Sequence, residues 1–73
     1  MFVLCTAETL KDTIKELKAN GYNWICGDMP PELIIKELPN TKYIMINAYY
    51  DETFERKVMT YQSEAWYKKH EQI

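Results

Sequence analysis

Glycine is scarce in this 73-residue sequence: Gly21 and Gly27 are the two examples, and neither belongs to a run that could cradle phosphate. Nucleotide hydrolysis on a P-loop is excluded on that ground. Serine and histidine occur once each, as Ser63 and His70. The segment Gln62-Ser63-Glu64 is not a glycine-flanked nucleophile turn, so a Ser–His device has no support. Cys5 and Cys26 are the two cysteines, and with His70 they lack the close pair spacing of structural zinc sites. No metal and no cofactor are expected. Without a secretion signal to imply an oxidising compartment, the two thiols read as small apolar residues rather than as a disulfide. Asp51, Glu52 and Glu55 form a local acidic stretch that reads as a solvated turn. A nucleotide-cleaving activity built on Glu52 or Glu55 lacks the rest of an acid–base set, so the chain is not expected to be an enzyme.

Charge of one sign is also lacking. Acidic residues number 11 against 9 basic ones, for a net charge of −2, and the two signs are interspersed. Duplex nucleic acid calls for a clustered basic stripe, and none is present. Long apolar runs are missing too: Phe2 to Cys5 and Leu33 to Ile35 are far too short to cross a bilayer, and no basic segment leads into an apolar signal region. A cytoplasmic protein with no membrane partner is the expectation.

What is present is the composition of a folding chain, 47% hydrophobic and 14% aromatic. The length allows one domain, spanning residues 1–73, with a thin stability margin. Disulfides and metals are poorly supplied, so a partner subunit is the remaining reinforcement, and a homo-oligomer is expected.

Phe2-Val3-Leu4-Cys5 reads as a first strand, followed by Thr6 as a helix N-cap. From Ala7 to Asn20 the apolar positions Leu10, Ile14 and Leu17 recur at helical spacing, with charge on the other faces. Asn20-Gly21 supplies the residues that end such a helix in a left-handed conformation. Tyr22 to Cys26 is a strand candidate with Tyr22, Trp24 and Cys26 on one face, ended by Gly27-Asp28. Pro30-Pro31 opens a short second helix through Leu38, which Pro39 stops. Tyr43 to Tyr50 is the strongest strand, and Lys57 to Tyr61 returns beside it after a fairly long acidic loop. Ser63 caps a last short helix, Glu64 to Glu71, carrying Trp66 and Tyr67. The order β-α-β-α-β-β-α predicts an α+β fold: a mixed or antiparallel sheet of three or four strands with helices on one face.

Alternation along Tyr43 to Tyr50 divides Ile44, Ile46 and Ala48 from Tyr43, Met45 and Tyr49. If the helices cover the isoleucine side, the opposite side gathers aromatic residues, joined by Tyr22 and Trp24 from the earlier strand and Met59 and Tyr61 from the later one. Such a face is core under a different layer order, or else a subunit interface or a binding surface. Tyrosine and tryptophan suit both protein recognition and stacking on a nucleobase.

The stretch Asn20-Gly21-Tyr22-Asn23-Trp24-Ile25-Cys26-Gly27, with Tyr43 to Ile46 and Met59-Thr60-Tyr61, resembles a loosely defined group of small bacteriophage proteins. In these an amphipathic helix ends in Gly, followed by an aromatic residue, one further residue, Trp, a small residue and Gly. Here Ile25-Cys26 stands where a small residue or pair is usual. The resemblance implies a binding protein that counters host defence within the host cytoplasm. In one mode an oligomer sequesters a small nucleotide-like ligand, with Trp24, Tyr43, Tyr49 and Tyr61 for stacking and Lys42, Arg56 and Lys57 for anion contact. In the other, the aromatic face docks on a host protein and occludes it.

Overall fold

A computed structural model describes residues 1–65 and 69 of the chain. Six elements follow in order: β1 (Phe2–Cys5), α1 (Leu10–Ala19), β2 (Asn23–Trp24), α2 (Pro31–Glu37), β3 (Ile44–Asp51) and β4 (Arg56–Ser63). The sheet runs β1-β3-β4-β2. Its β1/β3 and β3/β4 pairs are antiparallel and its β4/β2 pair is parallel, so the expected α+β fold takes the mixed form. Most of the expected last helix, with Trp66, Tyr67 and His70, lies outside the described residues.

Both helices pack on one face. Leu10, Ile14 and Leu17 of α1 and Ile34 of α2 meet Cys5, Ile44, Ile46, Ala48, Trp24 and Met59 in a single buried cluster. The spacing of the α1 residues explains this, since positions three and four apart project from one side of a helix. Its end follows the glycine signal closely. Gly21, at φ +93°, donates to the Lys18 carbonyl at 3.0 Å, and Tyr22 donates to the Leu17 carbonyl at 3.0 Å. Two otherwise orphaned carbonyls are thereby satisfied by a left-handed residue that only glycine adopts without cost.

Three boundaries differ from the sequence expectation. Helix α1 starts at Leu10 rather than Ala7, because the Thr6 and Thr9 side chains close a turn with each other instead of capping the helix: Thr6 N–H donates to Thr9 Oγ1 at 2.9 Å, and Thr9 N–H to the Thr6 carbonyl at 3.2 Å. Thr6 therefore opens a separate turn and does not cap. Strand β2 is two residues long rather than five. Ile25 still donates to the Met59 carbonyl at 3.2 Å, but Gly27, at φ +104°, turns the chain away and donates back to the Trp24 carbonyl at 3.5 Å. The β3–β4 loop is short, because Asp51 Oδ1 accepts the N–H groups of Thr53 and Phe54 at 2.9 and 3.1 Å and bends the chain at once.

Register decides which aromatic rings share a face, because residues directly opposite on paired strands point the same way. Leu4 lies opposite Met45, and Tyr49 opposite Val58. These make the back of the sheet, where Phe2 and Leu4 are 55% and 50% exposed but Val58 is wholly buried, outside the cluster that α1 and α2 form on the other face. Met59 lies opposite Ala48, Tyr61 opposite Ile46, and Trp24 beside Met59. The expected gathering of Tyr22, Trp24, Met59 and Tyr61 with Tyr43, Met45 and Tyr49 is thus corrected: the first four belong to the helix-covered side, Tyr22 and Tyr61 packing half-buried against the core.

Ile46, wholly buried between the sheet and the helices, should cost about 2–5 kcal/mol on substitution by Ala. Gly21→Ala should cost about 1–2 kcal/mol, and for a backbone reason alone, since an added Cβ would meet its nearest neighbour, Lys57 Cδ, at an ordinary 3.5 Å. Urea unfolding of the two variants against the parent chain measures both losses.

Candidate functional site

Because β2 stops after Trp24, the outer edge of β4 beyond Met59 has no strand beside it among the described residues. A cleft of about 350 Å³ opens there, between that edge and the loop that carries the chain from β2 to α2. Trp24, Met59 and Tyr61 contribute from the sheet, and Cys26, Asp28 and Met29 from the loop. Trp24 meets Tyr61 edge to face, with ring centroids 5.7 Å apart and planes at 85°. That geometry sets the positive edge of one ring against the negative face of the other.

Trp24 is 6% exposed, and its indole Nε1–H is buried without a hydrogen-bond partner. Buried donors in folded proteins are nearly always paired, and leaving one unmet costs about 1–3 kcal/mol. Among the described residues it is the one buried side-chain polar atom in that condition, and it belongs to a residue that lines the cleft.

Tyr61 and Asp28 are tied down. Tyr61 donates its phenolic hydrogen to Glu37 at the end of α2. Burial, and then the hydrogen bond and charge of Glu37, push the phenol up to about 12. Among the described residues Asp28 is the sole charged side chain lining the cleft. Its Oδ1 accepts from Lys18 Nζ at 2.8 Å, and that hydrogen bond and charge hold its carboxyl below the usual range. The Met29 backbone also hydrogen-bonds to this carboxylate, whose side chain is 74% exposed. Cys26 is an exposed thiol, whereas Cys5 is buried on β1 and burial pushes its thiol up. The two cysteines form no disulfide.

The seven residues singled out from sequence do not form one site. Trp24 and Tyr61 line the cleft together. Tyr49 is on the back of the sheet opposite Val58, and Tyr43 sits just before β3 with the Lys42 ammonium 5.3 Å from its ring centroid. Lys42 is therefore at the Ile44/Ser63 end of the hairpin, whereas Arg56 pairs with Asp51 at the other end. Arg56 stacks over Phe54 at 5.4 Å and donates from Nη2 to the carbonyl of Ile25, a residue of the cleft wall, at 3.4 Å. Lys57 lies over Tyr22 at 5.2 Å and donates to the Asn20 carbonyl at 3.1 Å. Of the three cations, Arg56 alone bonds to a residue of the Trp24 cleft.

Asp28, Met29 and Cys26 are the contributors that sequence reasoning missed. The signal was the Gly27-Asp28 turn itself, which reads as punctuation but brings the chain back over the tryptophan before it. A second hollow of about 420 Å³ lies between α1 and the sheet and includes Thr13, Asn20 and Lys57. Three of its polar side chains are bonded to carbonyls: Thr13 to Thr9, Asn20 to Glu16 and Lys57 to Asn20. Among the described residues no group of three or more His, Cys, Asp or Glu could hold a metal ion. No helix among them is long and apolar enough to cross a membrane.

The bond from Tyr61 to Glu37 joins β4 to α2 and predicts a pH dependence. A phenol that ionises near 10 when unfolded and near 12 when folded favours the folded chain fully below pH 10. That contribution falls away as pH rises from about 10 to about 12. Urea midpoints of the parent chain should drop more steeply across this window than those of Tyr61→Phe, which has no proton to lose.

No protein-family model, curated protein or solved structure matches the chain.

Proposed function

We propose that this chain is a non-enzymatic binding protein whose Trp24 cleft takes up and sequesters a small, flat, nucleotide-like ligand. The observation that carries the reading is the buried, unpartnered Trp24 Nε1–H beside a mostly apolar cleft of about 350 Å³. Sites of this kind bury a flat body against apolar and aromatic walls and fix it with a few polar groups. A ligand that brings an acceptor to Nε1 removes a penalty already present in the free protein, so binding gains what folding gave up. A nucleobase is flat and carries ring-nitrogen or carbonyl acceptors, and Arg56, bonded to the carbonyl of Ile25 on the cleft wall, is the cation assigned to its phosphate. The resemblance to small phage proteins gives such capture a purpose: withholding a nucleotide signal from host defence.

The exposed β1 side of the back of the sheet supports a second reading. Exposed Phe2 and Leu4, with half-buried Met45 and Tyr49, make an apolar surface of the sort that binds protein. A second copy of the chain there gives the expected homo-oligomer, and a host protein there gives an inhibitor. Sedimentation separates these from a monomer: a self-associating face should lose its dimer on Leu4→Glu.

Millimolar nucleoside monophosphates should raise the melting temperature of the parent chain by mass action. Trp24→Phe keeps an aromatic side chain, though a smaller one, and loses the donor, and should weaken the tightest ligand by about 5- to 100-fold. No shift with any nucleotide at that concentration would sink the sequestration reading.

A further inference from the structure

Strand β4 outlasts the neighbour that pairs with its outer edge. The register with β2 ends at Trp24 and Met59, and the last bond across it runs from the Ile25 N–H to the Met59 carbonyl. Main-chain groups alternate in direction along a strand, so those of Tyr61 point the same way as those of Met59, away from β3. Among the described residues nothing bonds to the Tyr61 main-chain N–H or C=O. We propose that this edge pairs with an extended segment of a partner protein, which continues the ladder of β2 and sets one apolar side chain into the Trp24 cleft. The inference does not rest on the nucleotide reading, and the two occupants exclude each other because they use the same cleft.

Continuity with the existing ladder argues for a strand as the occupant. An exposed edge is a template for further pairing, and proteins that leave one unused guard it with charge, proline or a bulge. The stretch Met59-Thr60-Tyr61-Gln62-Ser63 has no charged residue and no proline. Its register with β3 runs unbroken from Ile44/Ser63 to Asp51/Arg56, so no bulge bends it away. The charged residues of β4, Arg56 and Lys57, come before the part that β2 covers. Side-chain direction adds the apolar requirement. A residue directly opposite Tyr61 projects to the same side as Tyr61, where Trp24, Met29 and Met59 wall the cleft. Its two chain neighbours project to the back, so one position of the segment meets the cleft. Main-chain bonds then supply affinity, and the cleft selects the side chain.

Amide hydrogen exchange on the full chain, followed residue by residue by NMR, tests the pairing. In the free protein the Tyr61 N–H should exchange about tenfold faster or more than those of Val58 and Thr60, which face β3. The probe is a capped heptapeptide of alternating threonine and valine with phenylalanine at its centre. At millimolar concentration it should slow Tyr61 by about tenfold or more and leave Val58 and Thr60 within about twofold. N-methylation of the peptide, one residue at a time, should weaken binding in alternation: about fivefold or more where the N–H faces β4, and within about twofold at the residues between. A peptide that does not slow Tyr61, or losses without alternation, overturns the proposal. Slow exchange of Tyr61 in the dilute free chain shows an edge already paired and also overturns it, and slowing that grows with protein concentration assigns the edge to a second copy instead. Slowing by AMP and not by the peptide gives the cleft to a nucleotide and overturns the strand. Slowing by the peptide with no binding of any nucleotide supports the strand and removes the nucleotide reading alone.

Discussion

Trp24 and Met59 are joined by a parallel pairing only two residues long, and much of the molecule depends on it. The pairing sets Trp24 on the side of the sheet that the helices cover, where its ring closes one end of the core. Had the register slipped by one residue, Asn23 would face the core and the tryptophan would join the exposed residues on the back. The hydrogen bond from Ile25 to the Met59 carbonyl fixes the alignment, and the turn at Gly27 ends it. The core, the cleft and the unmet indole donor all follow from where these few residues stop.

The same pairing explains how a short chain supports two unlike surfaces. Strands β3 and β4 form the centre of the sheet, with β1 and β2 at its edges. Alternation then gives every central residue to one side or the other. Ile44, Ile46 and Ala48 go to the helices, and Met45 and Tyr49 to the back. Among the described residues α1 and α2 pack on one side, the back keeps Phe2 and Leu4 exposed, and the cleft arises where the covered side runs out of strand.

Local chemistry made most of the fold legible in the sequence. Strand β1 has its expected bounds, α2 lies within one residue of them, and Gly21 ends α1 through the hydrogen bonds its left-handed conformation allows. What resisted reading was long-range. Alternation within Tyr43 to Tyr50 correctly separated two faces, yet nothing local says which residues of Lys57 to Tyr61 stand opposite them. Pairing Ala48 with Met59 reverses the side on which Met59 and Tyr61 were expected. The cleft was hidden for a related reason. Trp24 and Tyr61 were recognised as binding candidates, but they were grouped with Tyr43 and Tyr49, which lie elsewhere. Asp28, four residues after Trp24, becomes its neighbour across a hollow only because Gly27 folds the loop back.

The early end of β2 has one more consequence. Along β4, Met59 offers its carbonyl toward β2, and a strand repeats that orientation every second residue. The main-chain N–H and C=O of Tyr61 therefore point the same way, toward the cleft rather than toward β3. Among the described residues the hollow lies where the ladder between β4 and β2 stops. Whatever enters it competes with the chain's own capacity to extend that strand. Lengthening β2 by a few residues is then equivalent to filling the site, and the loop sequence after Trp24 sets the balance between sheet and receptor.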